Sequence, residues 1–168
     1  MPSGGRAMQI EPYSPADADG IRSMLADHVD YAPEQVTEDA SEDDLAFFED
    51  AFVQEDNGLI AYTLKDEGIV KGFMTLSRQF CSTEAGAWYI TALFVRHNDQ
   101  ADQYVLAMTE LFQSLLSEPA DICVAVHHAA TQIIRFWNQN DFVFCPERSK
   151  LTNADGERLV VCRKKAGI

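Results

Sequence analysis

Basic residues are scarce in this chain: 13 Lys and Arg stand against 27 Asp and Glu, for a formal net charge of -14. Such a surface repels nucleic acid and anionic lipid headgroups at long range, so neither is expected as a partner. Long apolar runs are missing too. No stretch approaches the roughly 18 apolar residues of a membrane span, and Met1 to Ala7 is small and polar, without the apolar centre of an export signal. Cysteine is confined to Cys81, Cys123, Cys145 and Cys162, far apart and mostly within apolar runs, with no C-x-x-C pair. That spacing suits neither zinc nor dithiol exchange, and the histidines lack ligand spacing as well, so reduced core thiols and no metal are expected. A soluble cytoplasmic protein is the resulting expectation. Internal repeats and low-complexity tracts are absent.

What is present suffices for one core, because a chain near 150 residues buries roughly 70% of its unfolded surface and this one has 168 residues, 46% of them hydrophobic. The expected layout is a flexible leader over 1–7 and a single domain over 8–168. Met8 to Tyr13 reads as a strand. Ser14-Pro15-Ala16-Asp17 then opens a helix, with a cap, a proline at the first helical position and an acid at the third. Ile21, Met24, Leu25 and Val29 continue it at helical spacing, and Tyr31-Ala32-Pro33 closes it. Ser41 to Asp44 caps a second, aromatic helix ending near Val53. Gly58 to Leu64 and Ile69 to Leu76 form a hairpin across Lys65-Asp66-Glu67-Gly68, whose glycine supplies a positive φ.

Ala87 to Val95 is apolar on both alternating faces, as befits a central strand covered on each side. Asn98 or Asp99 caps the clearest helix, in which Val105, Met108, Leu111, Phe112, Leu115 and Leu116 recur at three- and four-residue steps. Asp121 to His127 is another apolar strand, and a helix follows from about Thr131 to Asn138. Phe142 to Leu151 and Arg158 to Arg163 flank the turn Asn153-Ala154-Asp155-Gly156. The fold class is therefore α/β in the α+β sense: a mixed sheet of six to seven strands with about four helices, in the order βααβββαβαββ.

That order resembles the GNAT superfamily of acyl-CoA-dependent N-acetyltransferases. Leu64 to Phe73 is similar to the family's second hairpin, Leu93-Phe94-Val95 to the strand before its CoA loop, and Ile133 to Phe142 to its late helix and strand. The resemblance covers nearly the whole chain. It implies that the strands at 87–95 and 121–127 splay apart, and that the backbone of Leu93, Phe94 and Val95 binds the pantetheine arm of acetyl-CoA or another acyl-CoA as an added strand. The pyrophosphate would then sit on amides at the start of the next helix, over Gln100, Ala101, Asp102, Gln103, Tyr104 and Val105.

In the family this loop reads Gln or Arg, two residues, Gly, one residue, then Gly or Ala, and here only Gln100 fits. Gln103 and Val105 add bulk where a glycine lets the backbone approach, and Asp102 sets a carboxylate near the phosphates. Thr91 and Ala92 occupy the positions of the usual acidic base. Trp137 replaces the tyrosine that often protonates the leaving thiolate, and it reads as core packing. His128 is the substitute base, at the end of the 121–127 strand, where alternation lets one of His127 and His128 face the site. Tyr104 and Tyr89 are the candidate acids, and His97 reads as a loop residue. Tyr31, Glu34 and Glu38 map to the acceptor side, where acid would favour a small-molecule or peptide amine. A homodimer is an open assembly. The expected activity is N-acyl transfer, and the competing class is a GNAT-shaped binding or regulatory module without turnover.

Overall fold

The computed structural model of the protein describes residues 8–33, 59–77, 87–146, 152 and 156–165. Its strands are β1 (Met8–Pro12), β2 (His28–Asp30), β3 (Leu59–Asp66), β4 (Ile69–Ser77), β5 (Ala87–Arg96), β6 (Asp121–His127), β7 (Val143–Phe144) and β8 (Leu159–Lys164). The helices are α1 (Ala18–Leu25), α2 (Ala101–Leu115) and α3 (Thr131–Gln139). One sheet runs in the order β1-β3-β4-β5-β6-β8-β7, and β2 pairs separately with β5. Every described pairing is antiparallel except that of β5 with β6.

Two departures from the expected elements stand out. The first helix stops at Leu25, and Val29 belongs to a strand instead of a last helical turn. Helical spacing cannot tell the two apart there, because a β-branched residue beside Tyr31 fits a pleated surface equally well. The strand expected over Phe142 to Leu151 forms as Val143–Phe144, continued by the Cys145 amide to the Val161 carbonyl at 2.8 Å, and residues 147–151 lie outside the described residues. The second helix, at 41–53, lies outside them too. The sheet therefore has eight strands where six or seven were expected.

The hairpin between β3 and β4 turns on Glu67 and Gly68, at φ 55° and 82°, so both central residues are left-handed, as a tight two-residue turn matched to strand twist requires. At the start of the chain, Asp17 accepts a bond from the Ser14 amide and pairs with Lys65 at 2.8 Å, tying the entrance of α1 to β3.

Helices cover both faces. On one, Tyr104, Val105, Met108 and Phe112 of α2 pack with Leu64, Met74, Leu76, Leu93 and Val95. Gly72 permits this approach, because a Cβ there would meet the Met108 methyl at 2.7 Å. On the other face, Ile21 and Met24 of α1 pack with Ala61, Val70, Phe73, Ala92 and Phe94. Alternate residues of β5 thus feed opposite cores, which explains the doubly apolar pattern of this strand.

Candidate functional site

β5 and β6 pair in parallel from Ala87 opposite Asp121 to Ile90 opposite Val124, and no further. Both strands continue, to Arg96 and His127, so the sheet opens between them. The cause is local. The register of β5 against β4 shifts between Ala92, opposite Thr75, and Ile90, opposite Leu76, leaving Thr91 as an extra residue. Such a bulge bends and twists its strand. Its hydroxyl lies 2.7 Å from that of Thr75, which fixes the distortion to β4. The bulge also explains why Ile90 and Leu93, three residues apart, share one core.

The opening is occupied by the chain itself. β2 lies along the freed edge of β5, with His28 opposite Arg96, Val29 opposite Val95 and Asp30 opposite Phe94. Bonds from the His97 amide to the Asp27 carbonyl (3.0 Å) and from the Tyr31 amide to the Leu93 carbonyl (2.9 Å) extend the ladder at both ends. The Asp30 carboxylate accepts the Ala32 amide at 2.8 Å and turns the chain across the gap. On the far side the His127 amide donates to the Pro33 carbonyl at 2.7 Å. Residues 28–33 therefore bridge the two separated strands.

Tyr31 is the centre of this segment. It is 5% exposed, its ring meets Phe136 edge-on at 4.9 Å, and its carbonyl accepts the Trp137 indole N–H at 2.8 Å. Its hydroxyl donates to the Asp102 carboxylate in the first turn of α2. Burial first, then that bond and the charge of Asp102, hold the Tyr31 hydroxyl far above the usual phenol range.

At the start of α2, Gln100, Asp102 and Gln103 are exposed, whereas Ala101, Tyr104 and Val105 are buried. The Tyr104 hydroxyl donates to Gln100 Oε1 at 3.0 Å and accepts from Asn98 Nδ2 at 3.2 Å, so it is held within its own turn. At the end of β6, His127 is buried. The Ala129 amide donates to its Nδ1 at 3.1 Å, which leaves Nε2–H to donate to Glu157 at 2.9 Å. Both ring nitrogens are thus committed to structure. His128 is exposed, with its ring stacked on His127 at 4.6 Å. A depression of about 580 Å³ lined by residues including Val143, Phe144 and Arg163 lies at the β7–β8 edge of the sheet, remote from this opening.

No protein-family model matches the sequence, and no curated protein matches it either. Solved structures do. An acetyltransferase from Thermus thermophilus superposes with a TM-score of 0.69 at 15% identity, covering 95% of this chain and 97% of its own. An acetyltransferase of the GNAT family from Streptococcus pneumoniae matches with a TM-score of 0.56 at 11% identity, over 95% of this chain and 99% of its own. The chain has the GNAT fold. The ribosomal-protein-S18-alanine N-acetyltransferase from Escherichia coli also matches, with a TM-score of 0.61 at 10% identity, over 96% of this chain and 95% of its own.

An acyl-CoA is the group that the GNAT fold implies for such an opening. A strand edge that leaves its neighbour and the amides of a helix start are the kinds of group that hold such an arm and its phosphates; here the Gln100 and Ala101 amides already donate to Asn98. In this conformation, however, Leu93, Phe94 and Val95 face β2 and Tyr31, and Asp102 places a negative charge at the helix start. Two extended backbones cannot hold one strand edge at once. As described, the site does not fit the group.

The sequence-derived residues therefore fall into three sets. Leu93, Phe94, Val95 and the 100–105 turn flank the opening, and Tyr31 lies inside it instead of on an outer wall. His128 lies beyond the end of β6. Glu34 and Glu38 lie outside the described residues. Sequence reasoning missed the pairing of residues 28–31 with β5, the Pro33 bond to β6 and the Tyr31–Asp102 contact. The alternation Val29, Tyr31 followed by Pro33 is the available signal, a short strand with a stop. Among the described residues no group of His, Cys, Asp and Glu could hold a metal ion, and no helix is long and apolar enough to cross a membrane.

Proposed function

We propose that this domain is an N-acyltransferase, moving an acyl group, acetyl in the first instance, from acyl-CoA to a small-molecule or peptide amine. The observation that carries the reading is the bulge-driven separation of β5 from β6 beyond Ile90 and Val124, which takes a strand edge away from β6 beside a helix start. That this edge accepts an extended backbone is evident from the ladder it already forms with residues 28–31. In this reading the backbone of Leu93 to Val95 would hold the donor arm only after residues 28–31 leave that edge, and the start of α2 over 100–105 would then lie near its pyrophosphate. His128 is the proposed proton acceptor, because its imidazole is exposed just past the end of β6 whereas His127 has both nitrogens engaged. Tyr104 is proposed as the acid only if its bonds to Gln100 and Asn98 open. A cytoplasmic setting and self-association belong to the same proposal.

A second reading is favoured by a specific observation: Asp102 at the helix start is satisfied by a tyrosine hydroxyl of the same chain. A GNAT-shaped module without turnover would keep such a pair permanently. One experiment separates the two. Acetyl-CoA at millimolar concentration should raise the melting temperature, since a ligand held only by the native state stabilises it by mass action. Thiol release in the presence of polyamines or short peptides should then be detected, and His128→Ala should lower that rate while keeping the shift. No shift, together with no thiol release, would leave the non-catalytic module.

A further inference from the structure

The freed edge of β5 is capped by a segment that uses nearly every kind of contact an incoming arm would use. Its main chain bonds β5 through Asp27 and Tyr31 and bonds β6 through Pro33. Its centre is held by the Trp137 indole, and its one hydroxyl reaches the first turn of α2. Asp102 is unfavourable to a phosphate but favourable here. A carboxylate at a helix start is stabilised by the N-terminal end of the macrodipole, and it accepts a hydrogen bond from the Tyr31 hydroxyl. The same residue that would repel a pyrophosphate thus attracts the segment. The paired strand is short as well: β2 has three residues, all half-buried, and follows a helix of eight, so the segment's burial is concentrated at Tyr31 and Ala32.

We propose that residues 28–33 form a displaceable intramolecular strand that holds the donor slot closed, with the Tyr31–Asp102 bond as its latch. This inference rests on the N-acyltransferase reading and adds regulation of the same site. Binding of acyl-CoA requires the segment to withdraw, so the apparent Kd equals the intrinsic Kd divided by the fraction of molecules with the slot open; an open fraction of roughly one in a hundred weakens apparent affinity about a hundredfold. Whatever draws residues 28–33 away from β5 raises donor affinity, and whatever reinforces the latch lowers it.

Two variants of the full chain test this against acetyl-CoA by calorimetric titration. Tyr31→Phe keeps the ring and deletes the latch, and should tighten acetyl-CoA binding about tenfold, the scale of one hydrogen bond to a charged group. Hydrogen exchange at the amides of Val29 and Tyr31, which face β5, should accelerate in parallel. The second variant joins Asp30→Cys to Phe94→Cys, which face each other across the ladder between hydrogen-bonded pairs. Its oxidised form should bind acetyl-CoA at least tenfold more weakly than the same protein after reduction. Equal, measurable affinity in the wild type, Tyr31→Phe and both redox forms would overturn the closed-slot proposal while leaving the acyl-CoA reading intact. No binding by any form, with the amides at Val29 and Tyr31 exchanging freely in Tyr31→Phe, would remove the acyl-CoA reading and the latch with it.

Discussion

Replacing Trp137 with Phe isolates the contact that joins the late helix to the segment in the opening. Trp137 is fully buried, with Phe142 at 4.6 Å and Phe136 at 5.3 Å, and its indole donates to the Tyr31 carbonyl at 2.8 Å. Phenylalanine keeps an aromatic ring but has no donor and less volume. A buried carbonyl that loses its donor costs about 1–3 kcal/mol. The unfilled part of the larger ring adds about 1 kcal/mol, a fraction of the cost of removing an aromatic side chain altogether. The sum is about 2–4 kcal/mol. For a chain of this length that lowers Tm by roughly 5–15 °C, at about 2–4 °C per kcal/mol. Urea titration gives the free energy, and hydrogen exchange gives its location. The Tyr31 amide, bonded to Leu93, should lose more protection than Val124 in the β6–β8 ladder. A change below about 0.5 kcal/mol, within the range of surface substitutions, or equal loss of protection at both amides, would refute the assignment of Trp137 as an anchor of that segment.

Two further outcomes concern ionisation. Cys162 lies in the core, where burial, then the neighbouring Cys145 and Cys123, push its thiol from 9.0 up to about 11. The unfolded chain therefore releases this proton first as pH rises, and stability falls between about pH 9 and 11, by about 2 kcal/mol from this group. Urea midpoints across that range should fall less steeply in Cys162→Ala, and parallel profiles would contradict the buried-thiol account. Lys65 bonds Asp17 at 2.8 Å and Glu11 at 3.6 Å, and the Asp17 bond is the main reason its ammonium is held above the usual lysine value. Lys65→Met leaves the buried Asp17 carboxylate short of its cation and should cost about 1–3 kcal/mol by urea titration, an effect absent from an Asp17→Asn background.

Much of the architecture could be read from residue order. The doubly apolar run at 87–95 marked the central strand, Gly68 marked the hairpin turn, and the spacing of Val105, Met108 and Phe112 marked the long helix. These signals are legible because each reflects a constraint local to its own element: side-chain period, turn conformation or one buried face. The misreading of Val29 as helical shows where that legibility ends. Its strand exists because an edge of β5 lies beside it, and that edge is formed by residues far along the chain, Phe94 to Arg96.

The site divides in the same way. Sequence alone determined that Asp102 puts a carboxylate in the first turn of the long helix, and that Trp137 offers an indole N–H donor and no practical acid. Only the tertiary structure decided what those residues do instead. The bulge at Thr91 parts β5 from β6, residues 28–33 enter the gap, and Tyr31 meets Asp102 and Trp137 at once. An unpaired strand edge must find hydrogen-bond partners somewhere, and which backbone supplies them depends on what the fold brings within reach.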